Sequence, residues 1–130
     1  MRSSPLKLLQ NSAFNYWRGD APPGHKQLYH GTSTHNAGGI LQHGLRASRN
    51  GTLGRGVYFT DNKETAMAIA RYRARQTGGG RAVVVLCDVP EAHTRNTAMH
   101  APWAGVSRDF REYCVNEKEV TVRAVEPVPP

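Results

Sequence analysis

Three short strings each place one polar side chain in an apolar, strand-like setting. They are Leu-Tyr-His-Gly-Thr at 28–32, Gly-Arg-Gly-Val-Tyr-Phe at 54–59 and Arg-Glu-Tyr-Cys-Val at 111–115, and they carry His30, Tyr58 and Glu112. A strand that only fills a core does not need these groups, because burying a polar side chain costs free energy unless it is satisfied. A His, a Tyr and a Glu that arrive on three separate strands predict a site that is assembled by the fold.

The first string has the features of a backbone binding site. Gly31 has no side chain, so a ligand can approach the main chain closely there. Freed N–H and C=O groups could then clamp a carboxamide, while His30 donates a hydrogen bond to a ribose hydroxyl. The alternative is a histidine in a turn, with its ring satisfied by its own backbone.

Tyr58 and Glu112 each allow a structural and a functional interpretation. Gly54 and Gly56 precede Tyr58 without G-x-G-x-x-G spacing, so they do not predict a dinucleotide-binding loop. They fit a loop that folds over a ligand, with Tyr58 either as a flat face for an aromatic base or as a core residue. Glu112 lies in a run otherwise suited to a core strand, so its carboxylate either lines a cleft or faces solvent.

Other kinds of site lack the residues they need. The 6 histidines have no metal-binding spacing, and no cysteine lies near His30, His35 or His43, so we expect no metal site. Hydrolytic chemistry is not indicated either, because the sequence shows no Ser-His-Asp arrangement and no second carboxylate beside Glu112.

Length and composition fit one domain. The chain has 130 residues, with 17 Lys and Arg against 10 Asp and Glu, which gives a net charge of +7. This excess suits an anionic partner such as a nucleotide or nucleic acid, or else describes a solvated basic surface. Cys87 and Cys114 predict reduced, buried residues of an intracellular protein, cytoplasmic or nuclear or both. We expect neither a signal peptide nor a membrane span.

The hydrophobic pattern predicts an α+β domain of about five short strands and two or three helices. The expected strands are 27–30, 57–60, 81–89, 112–115 and 119–125. The expected helices are 62–76, one that begins after Ser33 or Thr34, and a short helix or arm at 5–17. Residues 1–24 are expected to pack on the core as an N-terminal arm, residues 25–126 to form the domain, and residues 127–130 to be a tail.

Local signals add detail to these elements. Asp61 and Glu64 have the spacing of a capping box at the start of the main helix. The last strand alternates, with Val120, Val122 and Ala124 expected to face inward. Residues 46–56 and 90–110 are expected to be irregular, and the Pro-rich end at 126–130 is expected to fray.

Four strings in this order resemble the catalytic domain of the poly(ADP-ribose) polymerase-like ADP-ribosyltransferases, in a minimal form. The family's His-Gly-Ser/Thr resembles 30–32, its Gly-x-Gly-[Ile/Val]-Tyr-Phe-[Ala/Thr]-Asp resembles 54–61, and its Asn-Glu-Tyr-[Ile/Val]-Val resembles 111–115. The family's helix pattern after the first string is similar, without gaps, to Asn36, Ile40, Leu41, Gly44, Leu45 and Arg46. The resemblance spans residues 28–125 and implies a small split antiparallel β-sheet.

The resemblance also implies NAD⁺ as the donor substrate, with no metal. His30 would bind the adenosine-proximal side of the nicotinamide ribose system through a hydroxyl, and the Gly31 backbone would hold the carboxamide. Glu112 would bind and polarise the 2′-hydroxyl of that ribose. The remaining donor-site residues would be Thr32, Arg46 near the adenosine or pyrophosphate, Gly56, and Tyr58 in the nicotinamide pocket.

The chemistry implied by this family is transfer of ADP-ribose with release of nicotinamide. Positive charge builds at the ribose C1′ as nicotinamide leaves, and the Glu112 carboxylate would stabilise this transition state more than the ground state. An acceptor nucleophile then attacks the opposite face. The short segment at 90–110, on the acceptor side, favours transfer of single units over chains.

Two positions depart from the family pattern in the helix after the Tyr-Phe strand. The family's stacking tyrosine falls on Ile69, and Tyr72, one turn further on, is the candidate to replace it. The family's carboxamide-binding serine falls on Ala66. Either Ile69 or Tyr72 is expected at the nicotinamide-stacking position.

Two other functions fit parts of the pattern. A tRNA 2′-phosphotransferase-like enzyme shares NAD⁺ and the His-Gly-Thr start, and the positive charge suits RNA, but that family does not typically carry the Tyr-Phe and Glu-Tyr strings. A catalytically inactive module that binds ADP-ribose, NAD or a protein partner is favoured by Ala66 and Ile69. It is opposed by the intact His30, Tyr58 and Glu112. The acceptor is left open between a protein side chain and a nucleic acid.

Overall fold

A computed structural model describes residues 21–34, 47–77, 80–98 and 110–129. Within these residues the strands and the helix are, in chain order, β1 His25–Ser33, β2 Ser48–Gly51, β3 Gly54–Thr60, α1 Lys63–Thr77, β4 Ala82–Pro90, β5 Arg95–Thr97, β6 Glu112–Val115 and β7 Thr121–Pro127. Short 3₁₀ turns at Glu91–His93 and Glu117–Glu119 follow β4 and β6. The predicted α+β class is confirmed.

The strands form an antiparallel sheet that is split between β1 and β3. The strand order is β5-β6-β3-β1-β4-β7, and β2 pairs with β3. β1 pairs with β4 from His25 to Ser33, but it pairs with β3 only where Tyr29 lies opposite Thr60. His30 and the residue after it therefore lie where the ladder between β1 and β3 has ended. This is the small split antiparallel sheet that the resemblance implied.

The sheet buries side chains on both faces. One face carries the larger cluster, which includes Leu28, Val57, Phe59, Val83 and Val85. The other face is covered by α1, whose alanines pack in a second cluster with Ala82, Val84 and Val128. Because successive strand residues point to opposite faces, β4 supplies both clusters, and its sequence is an almost unbroken apolar run.

Gly31 brings α1 close to the sheet. A Cβ atom at this position would lie 2.2 Å from the carbonyl oxygen of Ala66 and 2.8 Å from the amide nitrogen of Ala70. Both atoms belong to the helix backbone, which cannot move aside as a flexible side chain would. The absence of a side chain at Gly31 therefore allows α1 to pack directly over this part of β1.

The helix begins at a different cap from the predicted one. Asn62 Oδ1 accepts a hydrogen bond from the Thr65 amide at 3.1 Å, so Asn62 is the N-cap and α1 begins at Lys63. Asp61 instead accepts a hydrogen bond from the Tyr113 hydroxyl at 3.0 Å. This bond to β6 holds the Asp61 carboxylate away from the helix start, so the predicted capping box is wrong.

Both segments predicted to be irregular contain strands. The 46–56 segment holds β2 and the start of β3, which pair at Ser48 with Gly56 and at Gly51 with Gly54. Gly54 has a φ of 89°, which glycine adopts without strain in the turn between them. In the 90–110 segment, the described residues form a 3₁₀ turn and β5, which pairs with β6. The sheet thus has 7 strands where about five were predicted.

Val128, in the segment that was expected to fray, packs against the start of β4. Val128 is buried, and its amide donates to the Ala82 carbonyl at 2.9 Å. Val120 and Val122 pack on the larger cluster as predicted. A register shift between β4 and β7 then brings Val125, and not Ala124, onto that cluster, so strict alternation fails there.

The remaining expectations concern partly residues that the structure describes and partly residues outside them. Cys87 and Cys114 are free and buried, as predicted. In the described part of the chain, the helix is neither long nor apolar enough to cross a membrane. No group of three or more His, Cys, Asp or Glu in the described ranges could hold a metal ion. The predicted helix at 5–17, most of the helix after Thr34, and Arg46 lie outside the described residues.

Candidate active site

The end of the ladder between β1 and β3 opens into a cleft that gathers most of the predicted site residues. The described residues that line it are Tyr29, His30, Gly31, Tyr58, Phe59, Thr60, Ile69, Arg73, Phe110 and Glu112. The fold thus brings the His, the Tyr and the Glu of the three strings into one site.

His30 takes the place of a strand partner at the split. Its Nδ1 lies 2.7 Å from the carbonyl oxygen of Tyr58. A carbonyl only accepts, so Nδ1 carries the proton and donates, and in a neutral ring Nε2 is left as an acceptor. The ring also meets Phe59 edge-on, with 5.9 Å between centroids. This geometry differs from the donor role that the sequence suggested, because the proton of the neutral ring is already engaged.

The surroundings of His30 keep its ring neutral. Burial, and next the positive charge of Arg73, lower the pKa of His30 from 6.5 to about 4, against a smaller opposing effect of the Tyr58 carbonyl. At neutral pH the imidazole is therefore uncharged. It offers the Nε2 lone pair to a ligand hydroxyl without adding a cation to the cleft.

Tyr58 lines the cleft, and its hydroxyl closes the β2–β3 turn. That hydroxyl accepts from the Leu53 amide at 2.8 Å and donates to the Gly54 carbonyl at 2.5 Å. A Cβ atom at Gly51 would overlap the Tyr58 ring, so glycine is needed beneath it. Burial is the largest cause that raises the Tyr58 pKa to about 12, so the phenol stays protonated and is not a general base near neutral pH.

Glu112 is a buried carboxylate at the start of β6. It lies opposite Thr60 of β3 and Thr97 of β5, and it is 8% exposed. A buried carboxylate costs free energy unless a partner or a function compensates. Of the two interpretations drawn from the sequence, the structure places this carboxylate in the cleft and not on the solvent face.

Arg73 is a cleft residue that the sequence interpretation missed. It lies on α1, and its Nη1 donates to the Gly31 carbonyl oxygen at 3.3 Å. Burial lowers the pKa of the guanidinium, and the nearby Glu112 charge works in the opposite direction. The sequence did carry a signal for this residue, since Arg73 follows Ile69 by four positions and so lies on the same helix face.

Of the other predicted donor-site residues that the structure describes, some line the cleft and some do not. Ile69 lines the cleft, whereas Tyr72 is not among its lining residues and its hydroxyl accepts from Gln76 at 2.9 Å. Thr32 is buried in β1 opposite Val83. Gly56 packs against β6, where a Cβ atom would lie 2.4 Å from Cys114 Sγ. Thr32 and Gly56 thus support the strands that carry the cleft and do not line it.

A cleft at the split of a small antiparallel sheet, lined by His, Tyr and Glu from three strands, defines an ADP-ribosyltransferase type of domain. The family model of the poly(ADP-ribose) polymerase catalytic domain matches residues 8–123, and the chain belongs to this family. The match includes part of the predicted N-terminal arm. A search of the curated proteins finds no match to this chain. Family membership supports NAD⁺-dependent ADP-ribosyl transfer as the general chemistry, with NAD⁺ as the substrate.

Proposed function

We propose that this protein transfers a single ADP-ribose unit from NAD⁺ to a protein or nucleic-acid acceptor and releases nicotinamide. The observation that carries this proposal is the shared cleft of His30, Gly31 and Glu112 at the split in the sheet. The resemblance assigns these three positions to the ribose hydroxyls, the carboxamide and the 2′-hydroxyl of the donor. Their convergence in one cleft is what such a donor site requires.

Each group has a defined task in the proposed reaction. The neutral His30 ring accepts a hydrogen bond from a ribose hydroxyl through Nε2, since Nδ1 is held by Tyr58. The Gly31 backbone holds the nicotinamide carboxamide, while Tyr58 and Ile69 line the space for the nicotinamide ring. Hydrogen bonding to a buried carboxylate orients the substrate before the bond breaks, which lowers the entropic part of the barrier.

Glu112 provides the electrostatic part of catalysis. It accepts a hydrogen bond from the 2′-hydroxyl of the nicotinamide ribose. The bond between C1′ and the pyridinium nitrogen breaks, its electron pair leaves with nicotinamide, and positive charge develops at C1′. Glu112 is 8% exposed, so little water screens its attraction for that charge. The acceptor nucleophile then forms a bond to C1′ and gives up its proton.

Transfer of single units is favoured by the dimensions of the acceptor side. Only residues 98–111 separate β5 from Glu112 on β6, and this is where the polymerases of the family carry a long insertion. The net charge of +7 favours an acceptor that is acidic or is a nucleic acid. The free, buried Cys87 and Cys114 are consistent with an intracellular protein, which is the location we propose.

A second candidate function is an inactive NAD- or ADP-ribose-binding module. It is favoured by Ile69, which replaces an aromatic residue in the cleft wall, and by Arg73, which already occupies the Gly31 carbonyl. The retained His30 and Glu112 favour the enzyme. Turnover of NAD⁺ separates the two functions directly.

Product mass tests the proposed function. Purified protein is incubated with NAD⁺ and either a protein mixture or an RNA, and the acceptor is weighed by mass spectrometry. We expect the mass of one ADP-ribose per modified site, and none with His30→Ala. Ladders of added units would contradict single-unit transfer. NAD⁺ binding without any product would favour the binding module.

A further inference from the structure

One cation lines the cleft among the described residues, and it lies where the donor is expected to bind. The Arg73 Nη1 donates to the Gly31 carbonyl, and the charge of Arg73 acts on both His30 and Glu112. Two neighbouring arginines of α1 do not share this position. Arg71 donates to the Pro129 carbonyl at 3.1 Å, away from the cleft, and Arg75 is exposed. The contact is therefore particular to Arg73.

The Gly31 carbonyl has an assigned partner in the proposed reaction. A carboxamide presents an NH₂ donor and a C=O acceptor, so its NH₂ group needs an acceptor in the protein. In the proposed donor site that acceptor is the Gly31 carbonyl oxygen. The Arg73 guanidinium, which has only donors, now donates to this oxygen. A carbonyl oxygen can accept two hydrogen bonds, so the two groups become rivals where they need the same space in front of it.

The space around Gly31 makes this rivalry difficult to avoid. The Ala66 carbonyl and the Ala70 amide would lie within 3 Å of a Cβ atom there, so α1 closes one side of the glycine. Ile69 and Arg73 project from the same helix into the cleft. A carboxamide that reaches the Gly31 carbonyl has to enter the volume that the guanidinium now holds.

We propose that Arg73 limits the affinity of the donor site because it competes with the nicotinamide carboxamide at the Gly31 carbonyl. This inference rests on the proposed function, because it takes the cleft to be the nicotinamide site. Arg73 must leave the Gly31 carbonyl when donor binds. Its removal should therefore tighten binding, whereas damage to the fold could only weaken it.

The test measures the dissociation constant of nicotinamide for the full chain by calorimetry. The variants are Arg73→Ala, which removes the competitor, Arg73→Gln, which keeps a neutral donor at similar reach, and Arg75→Ala as the control on the same helix. A hydrogen bond typically contributes enough to change a binding constant about threefold to tenfold. We expect Arg73→Ala to bind nicotinamide tighter than wild type by that factor, Arg73→Gln to lie between, and Arg75→Ala to match wild type.

The possible results distinguish a failure of the Arg73 proposal from a failure of the proposed NAD⁺ donor site. If wild type binds nicotinamide and folded Arg73→Ala binds it equally or more weakly, the proposed competition is overturned. The proposed donor site is then still supported, because wild type binds the ligand. Binding of neither nicotinamide nor NAD⁺ by any of the proteins would overturn both. If thermal unfolding shows that Arg73→Ala is not folded, Arg73→Gln decides, and equal or weaker binding by that variant overturns the competition.

Discussion

His30 makes the stability of the fold depend on pH in a defined window. Burial and the Arg73 charge lower its pKa to about 4, against 6.5 for the solvent-exposed histidine of an unfolded chain. As pH falls, the unfolded chain therefore takes up a proton before the native state does. The stabilisation is complete above about pH 6.5 and is lost as pH falls toward about 4.

The magnitude follows from the size of the pKa difference. Each pH unit inside the window changes the free energy of unfolding by about 1.4 kcal/mol. Between about pH 7 and pH 5 the unfolded histidine becomes almost fully protonated while the native one stays largely neutral. His30 alone then accounts for about 2 kcal/mol of lost stability.

Urea unfolding at the two pH values, followed by circular dichroism, measures this loss. The informative variant is His30→Asn, because an amide nitrogen can still donate to the Tyr58 carbonyl but does not titrate. We expect wild type to lose about 2 kcal/mol more than His30→Asn between about pH 7 and pH 5. Equal losses in wild type and His30→Asn would refute the neutral, partly buried ring.

Three further predictions concern the elements that shape the cleft. Gly31→Ala should lower the free energy of unfolding by about 3 kcal/mol or more, measured in urea, because the new Cβ atom meets helix backbone at 2.2 Å. Asn62→Ala should lower the free energy of unfolding by about 1 kcal/mol, because the helix loses its cap. Asp61→Ala should not affect helix capping, so helicity measured by circular dichroism should fall only in Asn62→Ala. Tyr58→Phe should lower the melting temperature, since the Leu53 amide loses its acceptor, while the Michaelis constant for NAD⁺ changes less than with His30→Ala.

The parts of the fold that depend on residue periodicity could be predicted from the sequence. The apolar run of β4 and the Ala-rich helix are continuous local patterns, and both elements form within a residue or so of the expected bounds. The order of the three strings also indicated that one site would collect residues from several strands. His30, Tyr58 and Glu112 do line one cleft.

The remaining features depend on contacts between segments that are distant in the chain. Asp61 has the spacing of a cap, but Tyr113, from β6, bonds to it and leaves the cap to Asn62. β2 and β5 are short polar strands whose pairing, and not their composition, defines them. Arg73 could not be assigned to the site from composition, because only the packing of α1 over Gly31 brings its guanidinium to that carbonyl.

The catalytic role of Glu112 is the central claim, and the rate of nicotinamide release from NAD⁺ tests it most directly. Wild type is compared with Glu112→Gln and with Glu91→Gln, which makes the same change at an exposed residue. We predict a fall of about 100-fold or more for Glu112→Gln, because the amide lacks the negative charge that stabilises the developing cation. We predict no change for Glu91→Gln. Equal release by wild type and folded Glu112→Gln would contradict the account.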